Sequence, residues 1–316
     1  MTSRSNKRND EEQETQTAIG RAGHAFIAYP RVQRLHKVIR RCQRLSTLMD
    51  EPQCMSLEGP LGAGKTKLSK RYAWAFPRRQ EGEQTIVPVF YAETPSPVTI
   101  KGAALALAGA LGDRPPANTP QYEVDRQLIA QLRGCKVELA ILDDFHHLIP
   151  KSKRRDLSPA AKKYIALEVA DWLKVLIKES GVPFLVVGLN NTIAPIMEAD
   201  RELGRLFAAR EELAPFPWDA ANDEAIAEFA QFIEYAEQAV DLPLAPDVPR
   251  RELLALLHKA TDGVVANVMN LLRFAQVDVL DRSGTTITQA DLTEAYRSRL
   301  ADHMGKRKNP FGTTGL

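Results

Sequence analysis

The stretch "CMSLEGPLGAGKTKLSKRYAWAF", Cys54 to Phe76, decides how the rest of the chain is read. Its start is a short apolar run with strand character, its end has helical spacing, and "GPLGAGKT" (Gly59–Thr66) between them satisfies G-x-x-x-x-G-K-[ST]. Gly59, Gly62 and Gly64 let the backbone curl. The main chain of the loop, including Pro60, Leu61 and Ala63, then turns its N–H groups inward to cradle an anion with the N-terminus of the following helix. Lys65 can reach the β and γ phosphates of a nucleotide, and Thr66 can ligate Mg²⁺. Strand, glycine loop and helix in this order imply a phosphate loop that takes ATP and Mg²⁺.

Such a loop needs an acid on a neighbouring strand. "LAILDDFHHL" (Leu139–Leu148) supplies two at the end of a buried apolar run. Asp143 is placed to hold Mg²⁺ through its water shell, and Asp144 to polarise the attacking water. Ring-forming ATPases usually carry Glu at the second position. Asp144 is one methylene shorter, and a misplacement of about 1 Å can cost around 10²-fold in rate. ATP binding with slow hydrolysis is expected. The adjacent His146 and His147 are read as packing and hydrogen-bonding residues, not as a zinc site.

Around this centre the chain alternates strand and helix. Helices are expected over Arg31–Leu45, Lys65–Phe76, Thr99–Leu111, Gln121–Arg133 and Ser158–Ser180. Ser158 and Pro159 form an N-cap and first-turn pair for the last of these. Strands are expected over Cys54–Gly59, Thr85–Glu93, Glu138–Asp144, Pro183–Asn190 and Glu211–Phe216. Apolar strands without alternation, separated by helices, imply a parallel sheet covered on both faces. From about Asn222 three helical patterns follow, and Thr288 with Asp291 has the spacing of a capping box. The fold class expected is α/β, a P-loop NTPase with a parallel central sheet and a C-terminal all-helical subdomain, which resembles the AAA+ arrangement with its lid. The division expected is a disordered tail over 1–22, an α/β nucleotide-binding part over 23–221, a lid over 222–304 and a flexible tail over 305–316.

Composition narrows the class. With 316 residues, 44% hydrophobic and 26% charged, the chain suits an ordinary globular protein. A formal net charge of +2 gives no global field for nucleic acid, so any basic surface is local. In the Arg31–Leu45 helix, Arg34, Lys37, Arg41 and Arg44 line one face, a solvated face or one that meets DNA or a second subunit. Cys42, Cys54 and Cys135 fit no zinc or disulfide spacing, which suits a reducing cytoplasm. No apolar run reaches the ~18 residues of a membrane span, and the N-terminus has no signal-peptide pattern.

The remaining parts resemble those of AAA+ ring ATPases. "VVGLNN" ends the fourth strand with Asn190 and Asn191, and Asn190 is the preferred residue to orient water near the γ phosphate. "ADRELGRLFAAREEL" offers Arg201, Arg205 and Arg210 before the fifth strand. Arg205 is preferred as a finger supplied in trans, a contribution worth about 10³- to 10⁵-fold where known. Where a lid helix often begins G-x-x-R, "GVVA" (Gly263–Ala266) puts Ala266 in the place of Arg. Arg273, seven residues on and about 10.5 Å along a helix, is a poor substitute.

Taken together, "AFIAYPRVQRLHKVIRRCQRLS", "EPQCMSLEGPLGAGKT", "LAILDDFHHL", "FLVVGLNN" and "ELAPF", in this order, resemble the TnsC/TniB family of transposon AAA+ regulators. "KNPFG" (Lys308–Gly312) is similar to the tail of its CRISPR-associated branch. The resemblance covers about Ala25 to Phe311. Asp144, Ala266 and the register of Arg205 depart from the family pattern, in which Leu206 would hold the finger. The resemblance implies ATP binding and assembly into rings or filaments around double-stranded DNA. It also implies a link between a TniQ-like target selector and a TnsB- or TniA-like transposase. It places DNA-backbone contacts after the second strand, where Thr99 and Lys101 fall, with Thr119 as a further candidate. "KSKRR", including Lys153, Arg154 and Arg155, is a second basic loop. Such contacts give salt-sensitive binding that does not read bases. The tail "GKRKNPFGTTGL" is a disordered end or a peptide that docks on the transposase.

Rival expectations are a helicase loader or replication initiator, a scaffold that binds nucleotide without hydrolysing it, and a small-molecule kinase. No N/T-K-x-D guanine-reading motif follows the phosphate loop, which argues against a GTPase. The residues after Asn222 are taken up by the lid, which argues against an initiator's added DNA-binding domain.

Overall fold

The computed structural model describes residues 26–96, 99–148, 158–244, 249–302, 304–305 and 307–312. Lys153, Arg154 and Arg155, and the expected tail over 1–22, lie outside the described residues. The chain divides into two compact units, Arg31–Leu213 and the residues from Ala214 onward with those before Arg31.

The first unit begins with α1 (Pro30–Ser46), β1 (Met55–Glu58) and α2 (Lys65–Trp74). A hairpin of β2 (Arg79–Glu81) and β3 (Gln84–Ile86) follows, then β4 (Val89–Glu93), α3 (Ile100–Leu111) and α4 (Gln121–Gly134). The unit closes with β5 (Leu139–Asp143), α5 (Pro159–Ser180), β6 (Phe184–Gly188), α6 (Ala194–Ala199), α7 (Arg201–Leu206) and β7 (Ala209–Glu212). Five strands form one sheet in the order β4-β5-β6-β1-β7, every pair parallel. β5 and β6 are buried along their whole length, as strands covered on both faces must be. Phe184, Leu173, Leu128 and Phe145 are among the side chains that fill the core of this unit. β1 lies between β6 and β7, where the strand order reverses, and its C-terminal end opens onto the crevice in which open α/β sheets bind ligands.

Two expectations for this unit are corrected. Thr85–Glu93 is not one strand. Pro88 has no N–H to donate, and its carbonyl instead accepts from Glu138 N at 2.8 Å and Leu139 N at 3.2 Å. Residues before it turn away into the β2–β3 hairpin. The last strand starts earlier than expected, at Ala209, and Phe216 belongs to the second unit.

The second unit holds α8 (Asp223–Val240), α9 (Arg250–Thr261), α10 (Val265–Asp281) and α11 (Gln289–Ala295), which runs into a π-helical turn over Tyr296–Leu300. α8 was not foreseen. Asn222 caps it by accepting from Glu224 N and Ala225 N, and it buries Ile226, Phe229, Phe232, Ile233, Ala236 and Val240. The capping box at α11 is present in both directions, with Asp291 gripped further by Arg282 at 2.7 Å.

The C-terminal segment, expected to be free, packs on this unit. Phe311 is 1% exposed and meets Tyr296 edge-on. Its carbonyl accepts from Gln289 at 3.1 Å, while Asn309 donates to Thr293 O at 2.9 Å and Arg307 pairs with Asp262. Residues beyond Gly312 lie outside the described set. Within the described residues no single helix is long and apolar enough to cross a membrane.

Candidate active site

The phosphate loop leaves the end of β1 and enters α2. Gly62 at φ 81° and Gly64 at φ 99° take left-handed conformations that side chains resist, and these turn the chain around the anion position. Gly59 answers a different demand. A Cβ there would lie 2.6 Å from the Leu213 carbonyl, which the bond from Leu213 N to Glu58 O (2.8 Å) holds beside it. α2 has no side-chain cap, so its first N–H groups face the loop, as an anion site requires. Lys65 is 8% exposed and donates to Gly59 O at 2.7 Å and Pro60 O at 2.9 Å. Burial lowers its pKa, and the Asp143 and Asp144 carboxylates oppose that shift.

Asp143 ends β5 and is 1% exposed. Its Oδ1 accepts from Asp144 N at 2.9 Å and its Oδ2 from the Tyr91 hydroxyl at 3.0 Å. Sequence reasoning missed Tyr91. It projects from β4, whose register sets Glu93 opposite Asp143, and nothing in the order of residues reveals that pairing. Tyr91 also reaches Glu93 at 3.1 Å, and Lys70 pairs with Glu93 at 2.6 Å. Burial first, and then the Asp143 charge, raise the Tyr91 phenol pKa, so it stays a proton donor. Glu93 is held below the usual carboxylate range, chiefly by Lys70. A buried carboxylate oriented by two donors, with the Thr66 hydroxyl in the first turn of α2, is a hard-oxygen set that fits Mg²⁺.

Asp144 has φ 53°, a left-handed conformation that Asp accepts more readily than most side chains. Its side chain is partly exposed, with His146 Nδ1 at 3.9 Å from Oδ1. One ligand atom each of Asp144, His146 and His147 lies within 4.8 Å of the others. The two imidazole rings pack at 4.2 Å.

Asn190 follows β6 and donates to Glu212 Oε1 at 3.1 Å. Asn190 and Asn191, with Ser56, Glu58, Arg210 and Glu212, border a cavity of about 270 Å³. Arg205 lies at the other end of the strands, near the start of β1. It pairs with Glu51 at 2.8 Å, and the next residue, Leu206, accepts from Cys54 N at 3.0 Å, just before β1 begins. The phosphate loop leaves where β1 ends, one strand of roughly 13 Å away. Arg201 is exposed at the start of the same helix, and Arg210 donates to the Phe207 and Gly204 carbonyls.

Of the expected DNA contacts, Thr99 caps α3 by accepting from Gly102 N at 3.1 Å. Lys101 stands in the first turn of that helix. Thr119 lies in the loop before α4, its N–H bonded to Pro116 O at 3.0 Å. Ala266 opens α10, and Arg273, further along it, has its pKa lowered by burial.

No curated protein is similar to the chain. Solved structures are. The ORC1 protein of Aeropyrum pernix, determined in complex with DNA, aligns at 17% identity and TM-score 0.54, over 87% of this chain and 66% of its own. Cdc6p of Pyrobaculum aerophilum aligns at 12% identity and TM-score 0.57, over 88% and 70%. The ORC2 protein of Aeropyrum pernix in ADPNP–ADP complexes aligns at 16% identity and TM-score 0.54, over 87% and 69%. The chain thus spans about two thirds of these proteins' length. At such identities the likeness is one of fold, and that fold, with its parallel sheet and phosphate-loop strand next to the edge, is AAA+. A family model described as bacterial TniB protein matches residues 21–214, more than half of the chain and the whole span from α1 through β7, and the chain belongs to the TniB family.

Proposed function

We propose that the protein is an ATP-dependent regulator of DNA transposition. It binds ATP with Mg²⁺, assembles on double-stranded DNA, and links a target-selection complex to the transposase. Membership of the TniB family supports the transposition role. The observation that carries the mechanism is the placement of Lys65 and Asp143 at the C-terminal ends of the strands and Arg205 at the N-terminal ends. A site completed by an arginine from the opposite end of the sheet in a second copy joins protomers head to tail. Such heterologous contacts generate rings or helical filaments.

In this reading Lys65 exchanges its loop carbonyls for the β and γ phosphates. Asp143, fixed by Tyr91, and Thr66 would hold Mg²⁺, which would neutralise phosphate charge. Asn190 orients a water whose oxygen bonds to the γ phosphorus as the bond from that phosphorus to the ADP oxygen breaks, and Asp144 takes the water's proton. Arg205 of the adjoining copy stabilises the charge that develops. Thr99 accepts a bond through its oxygen and so keeps its own hydrogen for a phosphate, with Lys101 beside it. Contacts of that kind hold a duplex without reading it.

Electron microscopy with duplex DNA and either ATP or ADP, together with phosphate release with and without DNA, tests the proposal. It expects rings or filaments with ATP and not ADP, and slow release that DNA accelerates. Monomers under every condition would reject it. Assembly with no release in any condition would instead support a pure scaffold, a reading that the short side chain of Asp144 favours.

A further inference from the structure

Glu58 is the last residue of β1 and the residue before the phosphate loop. Its Oε1 accepts from the backbone N–H of Thr192 and of Ile193, both at 2.8 Å. Those two amides close the turn that begins at Leu189 and carries Asn190. The same turn is tightened from within, because Thr192 Oγ1 donates to Leu189 O at 2.6 Å and Asn191 takes φ 59°. Space for this arrangement comes from Gly188, which stands opposite Glu58 in the β1–β6 register. A Cβ at Gly188 would meet Thr192 Oγ1 at 3.0 Å and Ile193 Cδ1 at 3.1 Å, displacing the turn. One carboxylate oxygen therefore ties the base of the phosphate loop to the loop of Asn190.

We propose that Glu58 is a positioning residue which couples the phosphate loop to the Asn190 turn, so that triphosphate seated at Lys65 sets the place of Asn190. The coupling rests on the nucleotide-binding reading above. Its chemistry is direct. Glu58 shares its backbone with Gly59, so any shift of the loop moves the carboxylate. Two charge-assisted bonds to consecutive amides transmit that shift as a rigid unit, and such bonds are stronger than neutral ones. Asn190 gains its water-orienting position only when loop and turn move together. Glu58 touches neither nucleotide nor water in this scheme.

Hydrogen exchange on the full chain, with Mg²⁺ and a non-hydrolysable ATP analogue, tests this. In the parent, the analogue is expected to slow exchange both in Gly59–Leu68 and in Leu189–Met197. In Glu58→Ala the first segment is still protected, while the amide of Ile193 exchanges about tenfold faster and no longer responds to the analogue; the Thr192 amide keeps a second acceptor, Leu189 O at 3.2 Å. Glu58→Gln keeps an acceptor oxygen and is expected to restore the response. Turnover should follow, with kcat lower in Glu58→Ala and KM little changed. With Asn190 already replaced by Ala, Glu58→Ala should cost nothing further. Equal protection of both segments in Glu58→Ala, or multiplicative effects of the two substitutions on kcat, would overturn the coupling. Should the parent show no protection of Gly59–Leu68, the nucleotide reading is what fails. Unchanged exchange at Ile193 in Glu58→Ala without nucleotide would then overturn the clamp itself.

Discussion

The Tyr91 hydroxyl lies 3.0 Å from Asp143 Oδ2, across the β4–β5 pair, and is one of two donors that orient this carboxylate. Groups that orient metal-binding carboxylates matter nearly as much as the ligands, and their loss typically costs 10–100-fold in metal affinity. Tyr91→Phe keeps the ring and its packing. It is expected to raise the Mg²⁺ needed for half-maximal binding of a fluorescent ATP analogue by roughly tenfold, with metal-free binding unchanged. A Mg²⁺ titration of parent and variant measures this.

Asp144 combines a left-handed backbone with a short side chain. Asp144→Glu brings the carboxylate about one methylene closer to the water and is expected to raise turnover by about tenfold or more. Glu accepts the left-handed region less readily than Asp, so the variant should lose roughly 1 kcal/mol of stability. ATP affinity should not move. Steady-state phosphate release and thermal unfolding give the two numbers.

The placement of Arg205 at the end of the strands opposite the phosphate loop makes a mixing experiment informative. Lys65→Ala and Arg205→Ala are each expected to be inactive. In a one-to-one mixture, a site is complete where an intact phosphate loop meets an intact finger, in about a quarter of random head-to-tail contacts. Phosphate release should recover to about that share of the parent rate. No recovery would put the catalytic arginine elsewhere, with Arg201 the first alternative.

Asp291 sets a pH signature in the second unit. Its carboxyl is held down to about 2 from the ordinary 3.8, first by Arg282 and then by Thr288. A depressed acid contributes fully above its unfolded pKa and loses that contribution as pH falls through its folded one. About 1–2 kcal/mol should therefore disappear between pH 4 and pH 2, since the half-exposed Arg282 is partly screened. Urea unfolding at a series of pH values should show a loss over that window that is larger in the parent than in Asp291→Asn by about 1–2 kcal/mol.

Much of the nucleotide site is legible in the sequence because its signals are local. "GPLGAGKT" and "LAILDD" specify their own strands, turns and chemistry within a few residues. The capping box at Thr288 and Asp291 is equally local. Tyr91 and Glu58 are different, since each acts on a residue brought near only by strand register, β4 with β5 and β1 with β6. α8 carries a readable local signal, the Asn222 cap and apolar residues at helical spacing from Ile226 to Val240. The split at Pro88 was equally open to reading, because a proline inside an apparent strand argues against it. Phe311 shows the opposite limit. A basic, glycine-bearing end suggests a free tail, and only the recess formed with Tyr296, Gln289 and Thr293 makes its burial intelligible.

In the proposed function, a triphosphate held by Lys65 joins copies of the chain around duplex DNA. Sedimentation of the protein with duplex DNA, comparing parent and Lys65→Ala with and without Mg²⁺ and ATP, tests it most directly. The parent should form large DNA-bound assemblies only with ATP, and Lys65→Ala should remain small in every tube. Equal assembly of Lys65→Ala on DNA without triphosphate would contradict the account.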